Sequence, residues 1–341
     1  MNDDLNFNFN DLSKHTPNRN NISISRFGTP LNYSNEPFPN SFLNESNGVK
    51  LTNITNENIL RTRFDSQEDS IKSVCVYYIS LKNIFNEADI VFLCLPDDAA
   101  VEAVNLVENN NTVIIDTSTA HRVSEGWVYG LPEIKGQREL IKASKRIANP
   151  GCHASGFIAL VAPLVENKIL SPDEKLTCFS LTGYSGGGKK MIAQYENQNR
   201  EKFFDSPRQY ALSQNHKHLP EMMKICKLNN APVFCPIVAD FYSGMEVTVP
   251  IFAPDIETIK EIYKSYYQNG MIKFSDDDNE NGFLAANSFS GRDDMEIKVL
   301  GNNERILLIA RFDNLGKGAS GAAVQNMNLV MGINEFEGLN F

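Results

Sequence analysis

Two short, uninterrupted apolar runs with a helix-like segment between them limit the fold of this chain more than any other feature. The runs cover residues 89–95 and 112–116. A strand that is apolar at every position is buried on both faces, as in a parallel sheet with helices on each side. Asp97 or Asp98 can cap the helix between them. We therefore predict an α/β fold with a Rossmann-type, doubly wound parallel sheet.

The pattern changes after residue 150, which predicts a second domain. A helix at about residues 154–166 is followed by long strands near residues 176–181, 232–238, 245–251, 295–300 and 305–312. Few helices separate these strands, so they favour a mixed or antiparallel sheet in an α+β catalytic domain over residues 151–320. We assign residues 73–150 to the Rossmann-like domain and expect the C-terminal helix, within residues 321–341, to complete it.

Residues 1–72 differ in composition from the rest of the chain. They hold fifteen Asn and two Gly, and they sustain neither a period of 2 nor one of 3.6. A polar, low-complexity segment buries too little apolar surface to offset the entropy of folding. We interpret residues 1–72 as a disordered extension and predict a first strand near residues 74–79.

Charge and cysteine usage exclude several classes of protein. The 341 residues include 42 acidic and 32 basic side chains, for a net charge of −10, whereas duplex binding needs clustered Lys and Arg. No run of 18 apolar residues exists to cross a membrane. The six cysteines form no CxxC pair, which favours a reduced compartment. We predict a cytoplasmic protein with no nucleic-acid or membrane partner.

The segment NPGCHASG, residues 149–156, places Cys152 at the start of a predicted helix. A helix N-terminus carries about half a positive charge, which favours a thiolate over a thiol. Cys152 is therefore a candidate nucleophile. The alternative is a small buried cysteine at the start of a core helix.

A thiolate nucleophile needs an acid–base partner, and the chain has only five histidines. His216 and His218 lie in NHKHLPE, where Pro220 predicts a loop or a helix start. Two histidines at this spacing can also ligate a metal, but no third ligand cluster is visible, so we predict no metal site. Histidines of an ordinary surface loop are the alternative.

Two further segments suit anionic ligands. Residues 183–190, GYSGGGKK, follow a strand; their glycines allow close backbone approach to a ligand and Lys189 adds charge, although a flexible turn is the alternative. Ser118 and Arg122 follow the second buried strand, and ligands of open α/β sheets bind at the carboxyl ends of strands. Arg122 can pair with a substrate carboxylate or form an ordinary salt bridge.

Seven blocks of sequence, in order, resemble the N-acetyl-γ-glutamyl-phosphate reductases, especially the shorter subfamily. They span about residues 83–332. The blocks are NEADIVFLCLPDDAAVEAV, IDTSTAHRVSEGWVYGLPEI, NPGCHASGF, GYSGGGKKMIAQYE, NHKHLPEM, FYSGMEVTVPI and RFDNLGKGASGAAVQNMNLVMG.

This resemblance implies an arginine-pathway enzyme that reduces N-acetyl-L-glutamyl 5-phosphate to the 5-semialdehyde with NADPH, through a thioester on Cys152. It implies that His216 is the acid–base residue and that Arg122 and Glu221 belong to the substrate site. It further implies a homodimer or homotetramer that associates through the sheet of the second domain. The implied cofactor-binding residues are Pro96, Ser185, Gly186, Gly187 and Asn326.

The N-terminus departs from the family. Its members open with a strand and a glycine-rich turn that holds the NADPH pyrophosphate, and residues 1–72 contain no such element. We therefore predict that the first βα unit is missing or replaced. Two other functions fit this departure or the shared chemistry: a non-catalytic relative with a defective cofactor site, and a related acyl-phosphate reductase such as aspartate-semialdehyde dehydrogenase. A missing N-terminal segment would also allow a mitochondrial location.

Overall fold

The computed structural model describes residues 81–253, 255–277 and 281–341, and the backbone of two strands at 44–46 and 49–55. Its first sheet has the strand order β1-β2-β3-β4-β6-β5, with all strands parallel except β1. The strands are β1 (Asn44–Ser46), β2 (Val49–Thr55), β3 (Ile90–Cys94), β4 (Val113–Asp116), β5 (Val128–Tyr129) and β6 (Arg146–Ala148).

Helices cover both faces of this sheet, because β3 is apolar at every position and β4 at every position but the last, Asp116. On one face Val91 and Leu93 of β3 pack against Phe85 of α1 (81–87) and against α2 (Asp97–Val104). On the other face β3 and β4 pack against α3 (Gln137–Ala143) and against the C-terminal helix α8 (Gly321–Met331).

The N-terminal part of this sheet corrects the interpretation of residues 1–72. β2 lies within that segment and pairs in parallel with β3, with Leu51 opposite Ile90 and Thr55 opposite Cys94. A strand therefore occupies the place beside β3 where we expected a missing unit. The sequence VKLTNIT hides this strand because Asn53 interrupts its alternation of apolar and polar residues. The strand predicted at 74–79 lies outside the described residues.

The second sheet has the order β11-β12-β13-β10-β7-β9-β8. Its pairs β11/β12 and β7/β9 are parallel and the others antiparallel, so the sheet is mixed, as predicted. The strands are β7 (Thr177–Gly183), β8 (Arg208–Gln209), β9 (Val233–Ala239), β10 (Met245–Ile251), β11 (Ile272–Phe274), β12 (Met295–Gly301) and β13 (Ile306–Phe312).

One face of the second sheet forms the main core with α4 (Cys152–Glu166), which is buried along most of its length. Two further helices, α6 (Leu219–Cys226) and α7 (Ile256–Tyr266), pack on α4. α5 (Gly188–Tyr195) follows β7 after a 3₁₀ turn over Tyr184–Gly187, and a π-helical turn over Gly316–Ser320 joins β13 to α8. The strand ends predicted for this domain lie within two residues of the observed ones, and those of β10 coincide with them.

The expected cap of α2 is wrong. Pro96 is the N-cap residue and no side chain caps this helix. Asp97 instead accepts hydrogen bonds from the backbone N–H of Thr119, over 2.8 Å, and from its hydroxyl. The carboxylate therefore ties the loop after β3 to the loop after β4, which is a use that local spacing does not reveal.

Candidate active site

Cys152 is the first residue of α4, directly after the short loop that leaves β6. Gly151 is the N-cap residue, with extended backbone, and Cys152 is half-buried. The apolar length of α4 anchors the helix in the core of the second domain, while β6 belongs to the first sheet. The nucleophile candidate therefore lies at the carboxyl edge of the first sheet, where the two domains meet.

The electrostatic environment of Cys152 corrects the expectation of a stable thiolate. Burial raises the pKa of the thiol to about 11, although Arg122 and the backbone N–H of His153 act in the opposite direction. Desolvation of the anion thus outweighs the helix N-terminus. Cys152 rests as a thiol at neutral pH and needs a proton acceptor before it can attack.

A buried ion pair lies beside the nucleophile. Arg122 Nη1 donates to Glu221 Oε1 over 2.9 Å, although the two residues are far apart in the sequence. Tyr129 donates to Glu221 Oε2 over 2.6 Å, and the backbone N–H of Gly151 donates to the same oxygen over 3.2 Å. The loop after β4, the end of β5 and helix α6 are thereby joined at the N-terminus of α4.

Gly151 is the point on which these side chains converge. A Cβ atom at this position would lie 2.6 Å from Glu221 Oε1 and from His218 Nε2, and closer still to Arg122 Nη1. The backbone of Gly151 has a φ of −82°, so steric exclusion alone requires glycine here.

We expect Gly151→Ala to lower kcat by about 100-fold. The added methyl group must displace the Arg122–Glu221 pair next to Cys152, and a shift of about 1 Å in groups that position the substrate can slow a reaction by that factor. Steady-state kinetics of the purified variant tests this. Gly126→Ala is a matched control, since a Cβ there meets nothing within 4 Å, although its φ of +77° will cost some stability. Wild-type turnover by Gly151→Ala would contradict the placement of these side chains.

His216 and His218 lie in the same histidine cluster as His153, the residue after Cys152. The His216 and His218 rings are 4.7 Å apart, and His153 is 5.9 Å from His216 and 5.5 Å from His218 between ring centroids. His218 is buried, and its Nδ1 has no hydrogen-bond partner among the described residues. Burial, together with Arg122, holds the pKa of His218 well below its usual value, so this imidazole stays neutral.

Asp116, at the end of β4, orders the turn that positions Arg122 beside Cys152. Its carboxylate accepts from the N–H and hydroxyl of Ser118 over 2.9 and 2.7 Å, and His121 Nδ1 lies 2.6 Å from it. The Ser118 hydroxyl is therefore used within the turn. Its predicted contact with substrate stays a prediction, as does that of Lys189, which is exposed in the first turn of α5.

The predicted cofactor residues lie at the carboxyl edge of the first sheet and on the turn after β7. Pro96 follows β3, and Asn326 of α8 donates to Gly130 O, next to the end of β5, over 2.9 Å. Asn326 Oδ1 is buried without a hydrogen-bond partner among the described residues. An unsatisfied acceptor of this kind suits the carboxamide N–H group of a nicotinamide ring. The site thus fits a nicotinamide cofactor.

The turn Ser185–Gly187 connects to the nucleophile through the segment after β13. Asn314 Nδ2 donates to Ser185 Oγ over 2.9 Å, and a Cβ at Gly318 would lie 2.9 Å from Cys152 Cβ. Asn314, Gly318 and Tyr129 contact this candidate site but were not singled out by motif spacing. The glycine-rich segment DNLGKGASG, with its buried polar residues, is the signal that points to Asn314 and Gly318, whereas no local signal marks Tyr129.

The described residues contain neither a cluster of metal ligands nor a membrane-spanning helix. No group of three or more His, Cys, Asp or Glu side chains there is arranged to hold a metal ion. No helix in the described part is long and apolar enough to cross a membrane.

Family models and curated relatives agree on the class of protein. Residues 42–144 match the NAD binding domain of semialdehyde dehydrogenases, and residues 152–314 match their dimerisation domain. N-acetyl-gamma-glutamyl-phosphate reductase 2 of Nostoc sp. is 42% identical over 275 residues, covering 75% of this chain and 85% of the relative. The reductase of Brucella ovis is 40% identical over 293 residues, covering 80% and 94%.

Solved structures share the fold at low sequence identity. Aspartate semialdehyde dehydrogenase II from Vibrio cholerae has a TM-score of 0.57 and 17% identity, over 72% of this chain and 81% of that one. The aspartate semialdehyde dehydrogenase from Candida albicans, with NADP, has a TM-score of 0.53 and 16% identity, over 72% and 78%. These likenesses establish a Rossmann domain joined to a dimerisation domain, as predicted.

Proposed function

Since this chain belongs to the N-acetyl-gamma-glutamyl-phosphate reductase family, we propose a role for each side chain at its active site. The enzyme reduces N-acetyl-L-glutamyl 5-phosphate to N-acetyl-L-glutamate 5-semialdehyde and releases phosphate, with a nicotinamide cofactor. Its relatives at about 40% identity carry this name, so the two alternatives, a non-catalytic protein and an aspartate-semialdehyde dehydrogenase, fit less well.

Cys152 is the nucleophile in this proposal, and its position at the meeting point of the two domains is the observation that carries it. Its sulfur attacks the 5-acyl carbon, forms a thioester and expels phosphate. A nicotinamide cofactor, when bound, would supply the hydride that reduces the thioester. The C–S bond of the resulting Cys152 thiohemiacetal then breaks as its hydroxyl gives up a proton, which releases the aldehyde and leaves Cys152 as a free thiol.

His216 is the acid–base residue of this scheme. It accepts the Cys152 proton before attack and returns a proton to the oxygen that becomes negative on reduction. His218 is unsuited to this task, because burial keeps it neutral. The His216 ring lies within the same cluster and is partly exposed, and we assign the proton transfer to it.

Arg122 supplies positive charge for the substrate. Its Nε donates to Asn149 O over 3.0 Å and its Nη2 to Thr117 O over 3.1 Å, so the guanidinium is held rigidly beside Cys152. These bonds and the Glu221 bond use three of its five N–H groups. We assign the other two, together with Ser118 and Lys189, to binding of the substrate's anionic groups, while Glu221 lines the same site and orients Arg122.

NADP(H) is the cofactor that this proposal assigns, with the nicotinamide held by Asn326, Pro96 and the turn Ser185–Gly187. Small residues in that turn let the backbone approach the ring. No glycine occurs between Gly48 and Gly126, so a glycine-rich turn after the first strand does not supply the pyrophosphate contacts.

The function is tested by following NADPH oxidation and phosphate release with two acyl phosphates, N-acetylglutamyl phosphate and aspartyl phosphate. We expect one phosphate per NADPH, and a kcat/KM at least 100-fold higher for the first substrate. Equal values would favour a general acyl-phosphate reductase. No NADPH oxidation by a folded protein would favour the non-catalytic alternative.

The raised pKa of Cys152 predicts how its alkylation depends on pH. With a pKa of about 11, the thiolate fraction at pH 7 is only about 10⁻⁴ and rises about tenfold per pH unit. If His216 takes the proton, wild-type protein reacts with iodoacetamide faster at pH 7 than His216→Asn, by about 10-fold or more, and the two rates converge near pH 11. Equal rates at pH 7 would remove His216 from this role.

A homodimer or homotetramer in the cytoplasm completes the proposal. The face of the second sheet opposite α4 exposes Phe179, Val233 and Leu307, which are about half accessible. These apolar side chains on three strands of one sheet face suit an interface between two copies of the sheet. All five cysteines in the described residues are free, which suits a reduced compartment.

A further inference from the structure

His153 makes two short hydrogen bonds that the proposed reaction does not use. Its Nδ1 lies 2.6 Å from the hydroxyl oxygen of Ser180 on β7, and its Nε2 lies 2.6 Å from the Tyr210 hydroxyl. The side chain is buried at 3% exposure in the first turn of α4. Both ring nitrogens are therefore engaged, so the ring has one fixed orientation in the core.

Tyr210 belongs to the segment that carries His216, between β8 and α6. Its backbone N–H donates to Pro236 O on β9 over 3.0 Å, which anchors the start of the segment to the sheet. From there the chain runs six residues to His216, whose ring packs 6.0 Å from that of Tyr210 and 5.0 Å from Phe234. The His153–Tyr210 bond is thus a cross-link between this segment and the helix of Cys152.

His153 does not compete with His216 for protons. Burial, aided by the nearby His216, lowers the pKa of His153 to about 3, so the ring stays neutral at physiological pH. A neutral imidazole has one donor and one acceptor, which matches two hydroxyl partners. Its chemistry suits it to hold a position rather than to transfer a proton.

We propose that His153 and Tyr210 are positioning residues for His216, which set its distance from Cys152. The inference rests on the proposed function, because it takes His216 as the acid–base residue. Without the hydroxyl of Tyr210 the His216 segment keeps its anchors on β9 but loses this hydrogen bond to α4. The proton acceptor then samples positions away from the sulfur, and small displacements of a reacting group have large effects on rate.

Tyr210→Phe is the sharpest test, since it removes one oxygen and keeps the ring. We expect kcat to fall about 10-fold to 100-fold while KM changes less than about threefold. Tyr195→Phe is the matched control: it removes a buried hydroxyl that binds Arg208 over 3.0 Å in the same aromatic cluster but touches no histidine. Its kcat should match the wild type. A wild-type kcat for Tyr210→Phe would overturn the inference.

A second measurement separates positioning from general loss of structure and needs no substrate. Alkylation of Cys152 by iodoacetamide in Tyr210→Phe should lag the wild type by about 10-fold at pH 7 and match it near pH 11, where hydroxide replaces the histidine. A lag of equal size at every pH would indicate a structural defect and contradict a positioning role. Ser180→Ala, which removes the other hydroxyl partner, should show the same pH-dependent lag.

These outcomes distinguish the inference from the proposed function. If the wild type fails to reduce N-acetylglutamyl phosphate while the pH-dependent lag is present, the proposed function fails and the positioning role stands. If the wild type is active and Tyr210→Phe equals it in both kcat and alkylation, the positioning role fails and the proposed function stands.

Discussion

Replacing Cys152 by alanine is expected to lower turnover of N-acetylglutamyl phosphate by at least about 10⁴-fold, because no other group can form the thioester. The fold should persist, since the side chain is only half-buried and shrinks by one atom. NADPH affinity should stay within about twofold of the wild type, because the residues assigned to the cofactor lie on other segments. Turnover assays and a fluorescence titration with NADPH measure the two quantities.

Cys235→Ala is the matched control for this experiment. Cys235 is also half-buried and free, but on β9 its side chain points to the face opposite that of Phe234, whose ring packs against His153 and His216. It should keep wild-type turnover. More than about 1% of wild-type activity in Cys152→Ala would remove the thioester from the mechanism.

Replacing Lys317 by methionine is expected to destabilise the fold by about 3–5 kcal/mol, because it leaves the buried Glu133 carboxylate without its cationic partner. Lys317 and Glu133 are both fully buried, and Lys317 Nζ donates to the two Glu133 oxygens over 2.8 and 2.9 Å. Gln325 and the backbone N–H of Met271 complete the network. Urea denaturation of the two proteins at pH 7 measures the difference.

The double variant Lys317→Met with Glu133→Gln tests the cause. Removing the stranded charge should restore part of the loss, since a buried ion pair can often be replaced as a unit. A double variant less stable than Lys317→Met alone would contradict this account.

The stability difference should also depend on pH. Burial alone would raise the pKa of Glu133, but Lys317 and the other donors hold it below its usual value of 4.5. A lowered carboxyl pKa contributes stability above the unfolded value, and this contribution is lost as the pH falls through the folded value. The difference in the free energy of unfolding between wild type and Lys317→Met should therefore become smaller below about pH 4.5. A difference that grows as the pH falls would contradict a stabilising ion pair between Lys317 and Glu133.

Local pattern was enough for most of the fold. Continuous apolar runs identified β3 and β4, and long alternating or apolar strands identified the mixed sheet, because burial on one or two faces leaves a direct mark on the sequence. β2 was not predicted, because Asn53 breaks its alternation of apolar and polar residues and the flanking sequence is rich in Asn. The cap predicted for α2 was wrong, because the Asp97 carboxylate accepts a hydrogen bond from Thr119, in a different loop.

The site was predictable only where a motif keeps its chemistry together. Cys152, His216 and Glu221 lie in recognisable blocks, but their supports come from distant parts of the chain. Tyr129 and Glu221 are 92 residues apart, and Arg122 and Glu221 are 99 apart. The thiol pKa is likewise a property of the folded environment, since desolvation by the packed core decides it. No periodicity reports contacts or burial of this kind.

The way α8 covers the first sheet has a consequence for synthesis of the protein. Ala323 and Leu329 of this helix complete the apolar cluster around β3 and β4, although more than 200 residues separate them along the chain. A ribosome therefore finishes the second domain before it releases the helix that closes the first. Until α8 has been synthesised, only α3 covers that face of the nucleotide-binding sheet, and any truncation that removes α8 leaves part of the surface open to aggregation or to chaperones.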